Sequence, residues 1–431
     1  MFFACISSFY NQKTYYQLLL GYCDIALFAV MGILLYKGVY FSCKRYFSYL
    51  FLSFWFVVTF FLRGEFDLVY DMNRAHFLII CICCGILLPL PSVLKDTDKR
   101  KVLDSVLIVV SLTMCVFLLL AYYGLIRGEN LSLMNNKLIF GASYTYTHRM
   151  KLKIMNLHYY YTGFYSDVLF FCTLYLAFAH WNGWLKILWT FMLIVLASGV
   201  FITYSRTAVL SFVAGVLLTL YFCFFRKIKN KKLKWRICGL SAAGGVSVAI
   251  AAMNRIYIAV NSIRDVWYGI TTLSSRTVIW SSLIPLVKDY PLVIFCGLPL
   301  NNAMDTVNLY LADLDYIVHM HNSYLQTFLH LGLGGLIAVT VFILYLFKCI
   351  RIILDNLLNA DCQLCIVPIV IMLIGITESN FICNSYRYEM MNLIFALTSG
   401  YIIEKAISIQ HGTDHYRPSA ENIPNSNHNI L

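Results

Sequence analysis

The feature that most constrains this chain is a series of apolar runs, each about 20 residues long, separated by short polar breaks. A helix of that length spans the hydrocarbon core of a bilayer, which is about 30 Å thick. The chain has 431 residues, of which 60% are hydrophobic and only 13% are charged. A soluble protein of this size needs more polar side chains to cover its surface. The sequence therefore predicts an all-α, polytopic helical membrane protein.

The apolar runs also give an approximate count of the spans. The first run is long and is followed by further runs, so we interpret it as a membrane helix and not as a cleaved signal peptide. Residues 1–404 are predicted to form a single transmembrane domain, and the polar residues 405–431 a disordered cytoplasmic tail. About 11–12 transmembrane helices are expected. The candidates lie near residues 17–36, 46–62, 75–92, 104–125, 160–180, 184–203, 207–225, 236–253, 325–347, 362–380 and 387–404.

The positive charges are concentrated in a few of the polar breaks, notably "RKIKNKKLKWR" at 226–236 and "KDTDKRK" at 95–101. Such clusters mark cytoplasmic loops beside anionic lipid headgroups, so the net charge of +12 indicates the lipid bilayer and no nucleic acid as a partner. Counting spans outwards from these loops leaves two sizeable segments on the outer face, about 126–159 and 254–324. An odd number of spans would place the N-terminus outside as well.

The larger outer segment, 254–324, ends in two histidines. It is about 70 residues long, and a loop of this length usually carries function and folds with short helices of its own. His319 and His321 precede the next apolar run, in "HMHNSYLQTFLHLGLGG". An imidazole can act as a base at neutral pH. The H-x-H spacing could instead hold a metal ion, but no carboxylate or cysteine stands at ligand spacing, so no metal site is predicted.

Two arginines stand at the same predicted face. Arg206 lies in "TYSRTAVL", a tight break between two apolar helices, where a charge either has a function or extends to the interface. Arg276 and Trp280 lie in "RTVIWSSLIPLV", four residues apart and hence on one face of a helix. The alternative for this pair is an amphipathic helix resting on the bilayer, with Arg276 toward headgroups and Trp280 in the aromatic belt.

The order of these motifs resembles that of the O-antigen ligase and polymerase family. The chain has an S-R-T break at Arg206, then R-x3-W from Arg276 to Trp280, then H-N-S-Y-L from His321 before a glycine-containing span. The resemblance runs from about residue 160 to residue 404, with one span fewer than is usual for the family. Members are bacterial membrane glycosyltransferases of the GT-C type. They take a glycan from undecaprenyl diphosphate at the outer face of the inner membrane.

The resemblance implies essential roles in an active site for Arg206, Arg276 and His321, and the chemistry of these residues agrees. Guanidinium groups bind the oxygens of a leaving diphosphate bidentately. His321, which directly precedes "NSYL", is the predicted general base, whereas His319 is expected to face elsewhere. Two arginines can stand in for a divalent ion, so no cofactor is expected. Trp280 is a predicted substrate contact. Arg63, at the outer end of the second predicted span, either is a further phosphate contact or caps that helix at the membrane interface.

The predicted function is ligase-like transfer of the glycan to an acceptor hydroxyl, such as that of a lipid core. A repeat-unit polymerase with the same site is an alternative. A second alternative is a transporter, a flippase of lipid-linked sugars, although the internal repeat common in transporters is not evident. Asp313 and Asp315, in "DLD", formally match the DxD of metal-dependent glycosyltransferases. We interpret them as solvated loop acids.

The topology can be tested by chemical labelling. In a cysteine-depleted variant, a single cysteine added within 254–275 should react with a membrane-impermeant reagent in intact cells. One added within 226–235 should react only after the membrane is permeabilised, because positively charged loops stay in the cytoplasm. Labelling of the second position and not the first would contradict the predicted sidedness.

Overall fold

The structure is a computed structural model that describes part of the chain. The predicted span at 17–36, the spans at 46–62 and 236–253 except for isolated positions, and most of 75–92 lie outside the described residues, as do Arg63 and the acids of the "DLD" motif. The described residues are 87–94, 96–127, 131–133, 138–144, 150–154, 159–203, 205–223, 276–298, 303–311, 319–356, 360–378 and 389–412, together with isolated positions that include Trp55 and several between 226 and 244.

The described residues are mainly helical. In chain order the helices and strands are α1 (Leu90–Val93), α2 (Asp96–Arg127), β1 (Leu131–Leu133), β2 (Leu138–Tyr144), β3 (Met150–Ile154), α3 (Tyr159–Ala179), α4 (Leu185–Ile202), α5 (Arg206–Cys223), α6 (Arg276–Ser281), α7 (Leu283–Asp289), α8 (Val293–Cys296), α9 (Ala303–Asn308), α10 (Ser323–Asn356), α11 (Ala360–Leu364), α12 (Ile366–Thr377) and α13 (Glu389–Gln410).

These helices confirm the predicted polytopic helical membrane protein. Within the described part of the chain, six segments are long and apolar enough to cross a membrane, in α2, α3, α4, α10, the α11–α12 pair and α13. The shorter apolar helix α5 corresponds to a further predicted span. Large apolar side chains such as Ile187, Ile194 and Leu344 point away from the protein and are more than half exposed, as expected of a surface that contacts lipid.

A small sheet is the main departure from an all-helical chain. β1, β2 and β3 form an antiparallel meander in which Phe140 is paired with both Leu131 and Ile154. It lies in the predicted outer segment 126–159, where the sequence was expected to form no sheet, and it packs against α2 and α3. The signal is present in "MKLKI", where polar and apolar residues alternate with the period of a strand. One alternation of only five residues is too short to predict a strand in a chain whose other segments have the pattern of apolar helices.

The centre of the bundle is α3, which packs against α2, α4, α5 and α11–α12. Its aromatic side chains Phe164, Tyr165, Phe171 and Tyr175 are almost completely buried. Gly215 on α5 permits the close approach of α3, since a Cβ at that position would lie 2.2 Å from the Phe171 ring. α3 is therefore an interior helix, around which the lipid-facing helices are arranged.

Contacts between helix ends show which loops lie on the same side. Near the start of α2, Asp104 accepts hydrogen bonds from Tyr175 and binds His180, just after α3, at 2.8 and 2.7 Å. Gln363 on α11 donates to Cys223 at the end of α5, at 2.8 Å. These contacts place the start of α2, the end of α3, the end of α5 and α11 at one end of the bundle.

Short helices cover the opposite end. α6 to α9 and the loop before α10 share a second hydrophobic core, which includes Ile279, Leu286, Val307, Met320 and Leu329. The hydroxyl of Tyr310 donates to Asp289 at 2.7 Å, and this bond raises the pKa of Tyr310 to about 12. The expectation that the second outer segment has short helices of its own is thus confirmed for its described part.

Helix α10 is interrupted at Gly332, which has φ of +65°. At this point α8 approaches closely: Leu298 N–H donates to the carbonyl of Leu329 at 2.6 Å, and a Cβ at Gly332 would lie 2.5 Å from the Phe295 carbonyl oxygen. Glycine meets both needs, because it tolerates a positive φ and has no Cβ. The interruption divides α10 into a first segment beside the covering helices and a longer membrane segment.

Candidate active site

The carboxylate of Glu378 is the centre of the site. Glu378 directly follows α12, and only 5% of the residue is exposed. Its Oε1 accepts a hydrogen bond from Nη2 of Arg276, and its Oε2 lies 3.2 Å from Nδ1 of His321. Arg276 and His321 are 102 and 57 residues away from Glu378 in the sequence. The fold thus brings two of the predicted site residues together on one buried acid.

Arg276 is the first residue of α6, and its side chain is 19% exposed. One turn later, Trp280 Nε1 donates to the main-chain carbonyl of Met320 at 2.9 Å. The two side chains therefore contact neighbouring parts of one cluster, Arg276 at the end of α12 and Trp280 in the loop before α10. The alternative in which Arg276 only faces lipid headgroups is wrong, because its guanidinium binds a buried carboxylate. Substrate contact by Trp280 stays a prediction, since its observed role is to hold the loop.

His321 has a backbone conformation that side-chain-bearing residues rarely adopt, with φ of +49°. Such a conformation persists only where the surroundings hold it, and it is found at functional sites. Here Trp280 binds the Met320 carbonyl, and the Oε1 atom of Gln326 accepts the Met320 N–H at 2.8 Å. Both hydrogen-bonding groups of the preceding residue are therefore fixed.

The residues that follow His321 anchor the loop to two helices. Asn322 Oδ1 accepts the N–H groups of Tyr324 and Leu325 at 2.9 Å, the pattern of a helix N-cap for α10. Asn322 Nδ2 also donates to the Ile376 carbonyl at 2.8 Å. Ser323 Oγ donates to the main-chain carbonyl of Glu378 at 2.8 Å. The H-N-S motif thus ties the start of α10 to the end of α12.

His319 belongs to the same cluster, contrary to the expectation that it faces elsewhere. Its ring centroid lies 4.0 Å from that of His321, and its Nδ1 accepts the His321 main-chain N–H at 3.3 Å. The contact accompanies a left-handed backbone conformation at His321. His319 is the more buried of the two histidines, while the side chain of His321 is 32% exposed. The geometry therefore favours His321 as the residue that meets a substrate.

Arg206 is the first residue of α5, and the structure describes its backbone but not its side chain. The neighbouring Thr207 accepts a hydrogen bond from the hydroxyl of Thr377 at 3.1 Å. Thr377 directly precedes Glu378. The start of α5 is thereby placed beside the Glu378 cluster, so the backbones of all three predicted residues converge at one end of the bundle.

One group of side chains in the described part of the chain could hold a metal ion. His319, His321 and Glu378 each offer one ligand atom, and these atoms all lie within 4.8 Å of one another. No metal site was predicted from the H-x-H spacing, because the carboxylate of this group comes from a different helix, 57 residues after His321. The arrangement can therefore act either as a hydrogen-bonded base or as a set of ligands.

Glu378 is the residue that sequence reasoning missed. The available signal was a lone acid at the end of the apolar run "IVIMLIGITES", because an ionisable residue at the end of a membrane helix is a functional candidate. Gln326 was missed as well. It lies inside an apolar stretch, where a polar residue needs a partner, and it bonds both Met320 N–H and, at 2.5 Å, His330.

The fold and the site together define a multi-pass helical membrane protein in which an arginine and a histidine meet on a buried glutamate at one end of the bundle. Residues 190–340, which include all three predicted catalytic positions, match the family model described as O-antigen ligase. This match confirms the resemblance drawn from the three motifs and supports an O-antigen ligase-like role in surface polysaccharide assembly. A comparison with curated proteins found no match.

Proposed function

We propose that the protein transfers a glycan from undecaprenyl diphosphate to an acceptor hydroxyl, as a metal-independent glycosyltransferase of the GT-C type. We place the active site at the outer face of the bacterial inner membrane. The observation that carries the proposal is the convergence of Arg276 and His321 on Glu378. Glu378 holds both a cation, Arg276, and a base, His321. The cation suits a diphosphate leaving group, and the base suits a hydroxyl nucleophile.

The contact with Glu378 determines how His321 acts. A carboxylate only accepts hydrogen bonds, so the Nδ1 atom that faces Glu378 carries the proton. The lone pair of the neutral ring is then on Nε2, the atom on the far side from Glu378. This is the arrangement in which an acid orients an imidazole base and stabilises the imidazolium that forms.

The reaction then proceeds as follows. Nε2 of His321 takes the proton of the acceptor hydroxyl as its oxygen bonds to the anomeric carbon of the donor glycan. The bond between that carbon and the diphosphate oxygen breaks, and undecaprenyl diphosphate leaves with the electron pair. The imidazolium afterwards returns its proton to solvent or to the leaving diphosphate.

The arginines stabilise the charge that develops on the leaving group. A guanidinium has five N–H donors in a fixed plane, and the Glu378 contact of Arg276 is through Nη2. Its remaining donors suit phosphate oxygens, which Arg binds bidentately. Arg206 at the start of α5 would supply the second cation, with Arg63 as a further phosphate contact and Trp280 against the substrate.

A repeat-unit polymerase would use the same residues, with the end of another lipid-linked glycan as its acceptor. The structure also has one feature that transporters share, the interruption of α10 at Gly332. A flippase would move lipid-linked sugars without forming a glycosidic bond. A transfer assay with purified protein and defined donor separates the flippase from both enzymes, and the choice of acceptor separates the ligase from the polymerase.

Replacement of His321 tests the assigned base. We expect His321→Ala to lower the rate of glycan transfer about 100- to 10,000-fold, the usual cost of removing a general base. Arg276→Lys should also fail, because an ammonium group lacks the planar fork that holds both Glu378 and phosphate. His319→Ala should lose much less, since its bond to the His321 backbone is long.

Matched controls for these variants lie elsewhere on the chain. His411→Ala and Arg351→Lys change exposed residues outside the cluster and should keep full activity. All variants should reach the membrane at normal abundance. Normal transfer by His321→Ala would contradict the mechanism.

The proposal also predicts independence from divalent ions. Transfer by EDTA-washed membranes should continue at the original rate, because arginines neutralise the leaving diphosphate. Loss of transfer on chelation, with recovery on addition of Mg²⁺ or Mn²⁺, would contradict metal independence and point to Asp313 and Asp315, or to His319, His321 and Glu378, as metal ligands.

A further inference from the structure

We propose that His319, His321 and Glu378 form an inhibitory site for a zinc-type divalent ion. The ligand atoms of these residues lie within 4.8 Å of one another, on a loop and a helix end that the fold holds together. The inhibitory effect rests on the proposed function, whereas the binding of the ion does not.

One pair of candidate ligand atoms already has the spacing of two ligands on one ion. Bonds from Zn²⁺ to a His nitrogen or a carboxylate oxygen are about 2.0–2.2 Å, so two ligands in a tetrahedral site lie about 3.3 Å apart. His321 Nδ1 and Glu378 Oε2 are 3.2 Å apart. His319 must approach to complete the set, and its ring already contacts that of His321.

The chemistry of the ligands selects the ion. Two imidazole nitrogens and one carboxylate oxygen suit Zn²⁺ and its transition-metal neighbours, whereas Mg²⁺ and Ca²⁺ prefer oxygen ligands throughout. Three protein ligands also leave a fourth position open for water, and the partly exposed side of His321 offers an entry.

The surroundings both support and weaken the site. Arg276 holds Oε1 of Glu378 and leaves Oε2 directed toward His321, as hydrogen bonds behind a metal ligand commonly do. The positive charge of the same guanidinium repels a divalent ion. His319 can coordinate through Nδ1, which replaces its 3.3 Å bond to the His321 N–H, or through Nε2, which requires the proton to move to Nδ1. The repulsion by Arg276 and the changed hydrogen bond or tautomer of His319 lower the affinity of the site, so we expect the ion to bind reversibly.

Occupancy of the site would remove the catalytic base. The proposed reaction needs the proton of His321 on Nδ1 and the lone pair on Nε2. An ion bound at Nδ1 uses the lone pair of that atom, so the single proton of the neutral ring must lie on Nε2. An Nε2 that carries a proton cannot accept one from the acceptor hydroxyl. Zinc and catalysis therefore require opposite tautomers of the same ring.

Direct measurement of bound zinc tests the site without reference to activity. Metal-stripped protein in detergent is dialysed against Zn²⁺ and the bound metal is counted by mass spectrometry. The wild-type protein and the control His411→Ala should retain about one ion per chain more than His319→Ala or Glu378→Gln, as expected for the loss of a ligand. Equal zinc content in wild type and both site variants would overturn the proposal. The folding of each variant is checked by size-exclusion chromatography. If one of the two site variants is misfolded, the zinc content of the other decides the test.

Inhibition is measured separately in the transfer assay. Zinc should inhibit wild type, and His319→Ala should need at least about 10-fold more zinc for half-inhibition relative to its own uninhibited rate, because metal affinity falls by 10- to 100-fold even when a supporting group is lost. Site-specific binding without inhibition would overturn the inhibitory role. Site-specific binding by a protein that performs no glycan transfer would refute the proposed function and leave the metal site intact.

Discussion

A buried carboxylate is the constraint on which this site depends. An ionised acid away from water costs several kcal/mol unless it is paired and hydrogen-bonded. Glu378 satisfies this requirement with the guanidinium of Arg276 on one oxygen and the imidazole of His321 on the other. The three groups come from the end of α12, the start of α6 and the loop before α10. Their pairing therefore fixes the covering helices to the membrane bundle at the point where the chemistry is proposed to occur.

The strained backbone at His321 belongs to the same arrangement. At this residue φ is positive, Nδ1 faces Glu378, and the main-chain N–H donates to the neighbouring His319. Polar side chains hold the turn on both sides, through Gln326 before it and Asn322 after it. The motif H-N-S thus has a physical explanation: the first residue contacts the Glu378 carboxylate, the second caps α10, and the third bonds the backbone of Glu378.

Features that depend on local pattern could be predicted from the sequence. The membrane helices follow from apolar run length, and Arg276, Trp280 and His321 stood out by residue type and spacing within one long outer segment. The features that could not be predicted depend on contacts between residues far apart in the sequence. The residues near Glu378 do not indicate that a distant arginine and histidine contact its carboxylate. His319 was misplaced because a positive φ at a histidine is rare. The small sheet was missed because its alternation is short beside the helical signal.

The central claim is that Glu378, Arg276 and His321 act as one unit, and a double-mutant cycle on Glu378 and His321 tests it most directly. Rates of glycan transfer are measured for wild type, Glu378→Gln, His321→Ala and the double variant, each at equal membrane abundance. If Glu378 works by orienting His321, Glu378→Gln alone should cost about 100-fold or more. The double variant should then be no slower than His321→Ala, since groups that act together are not additive. Normal transfer by Glu378→Gln, or losses that multiply in the double variant, would contradict the account.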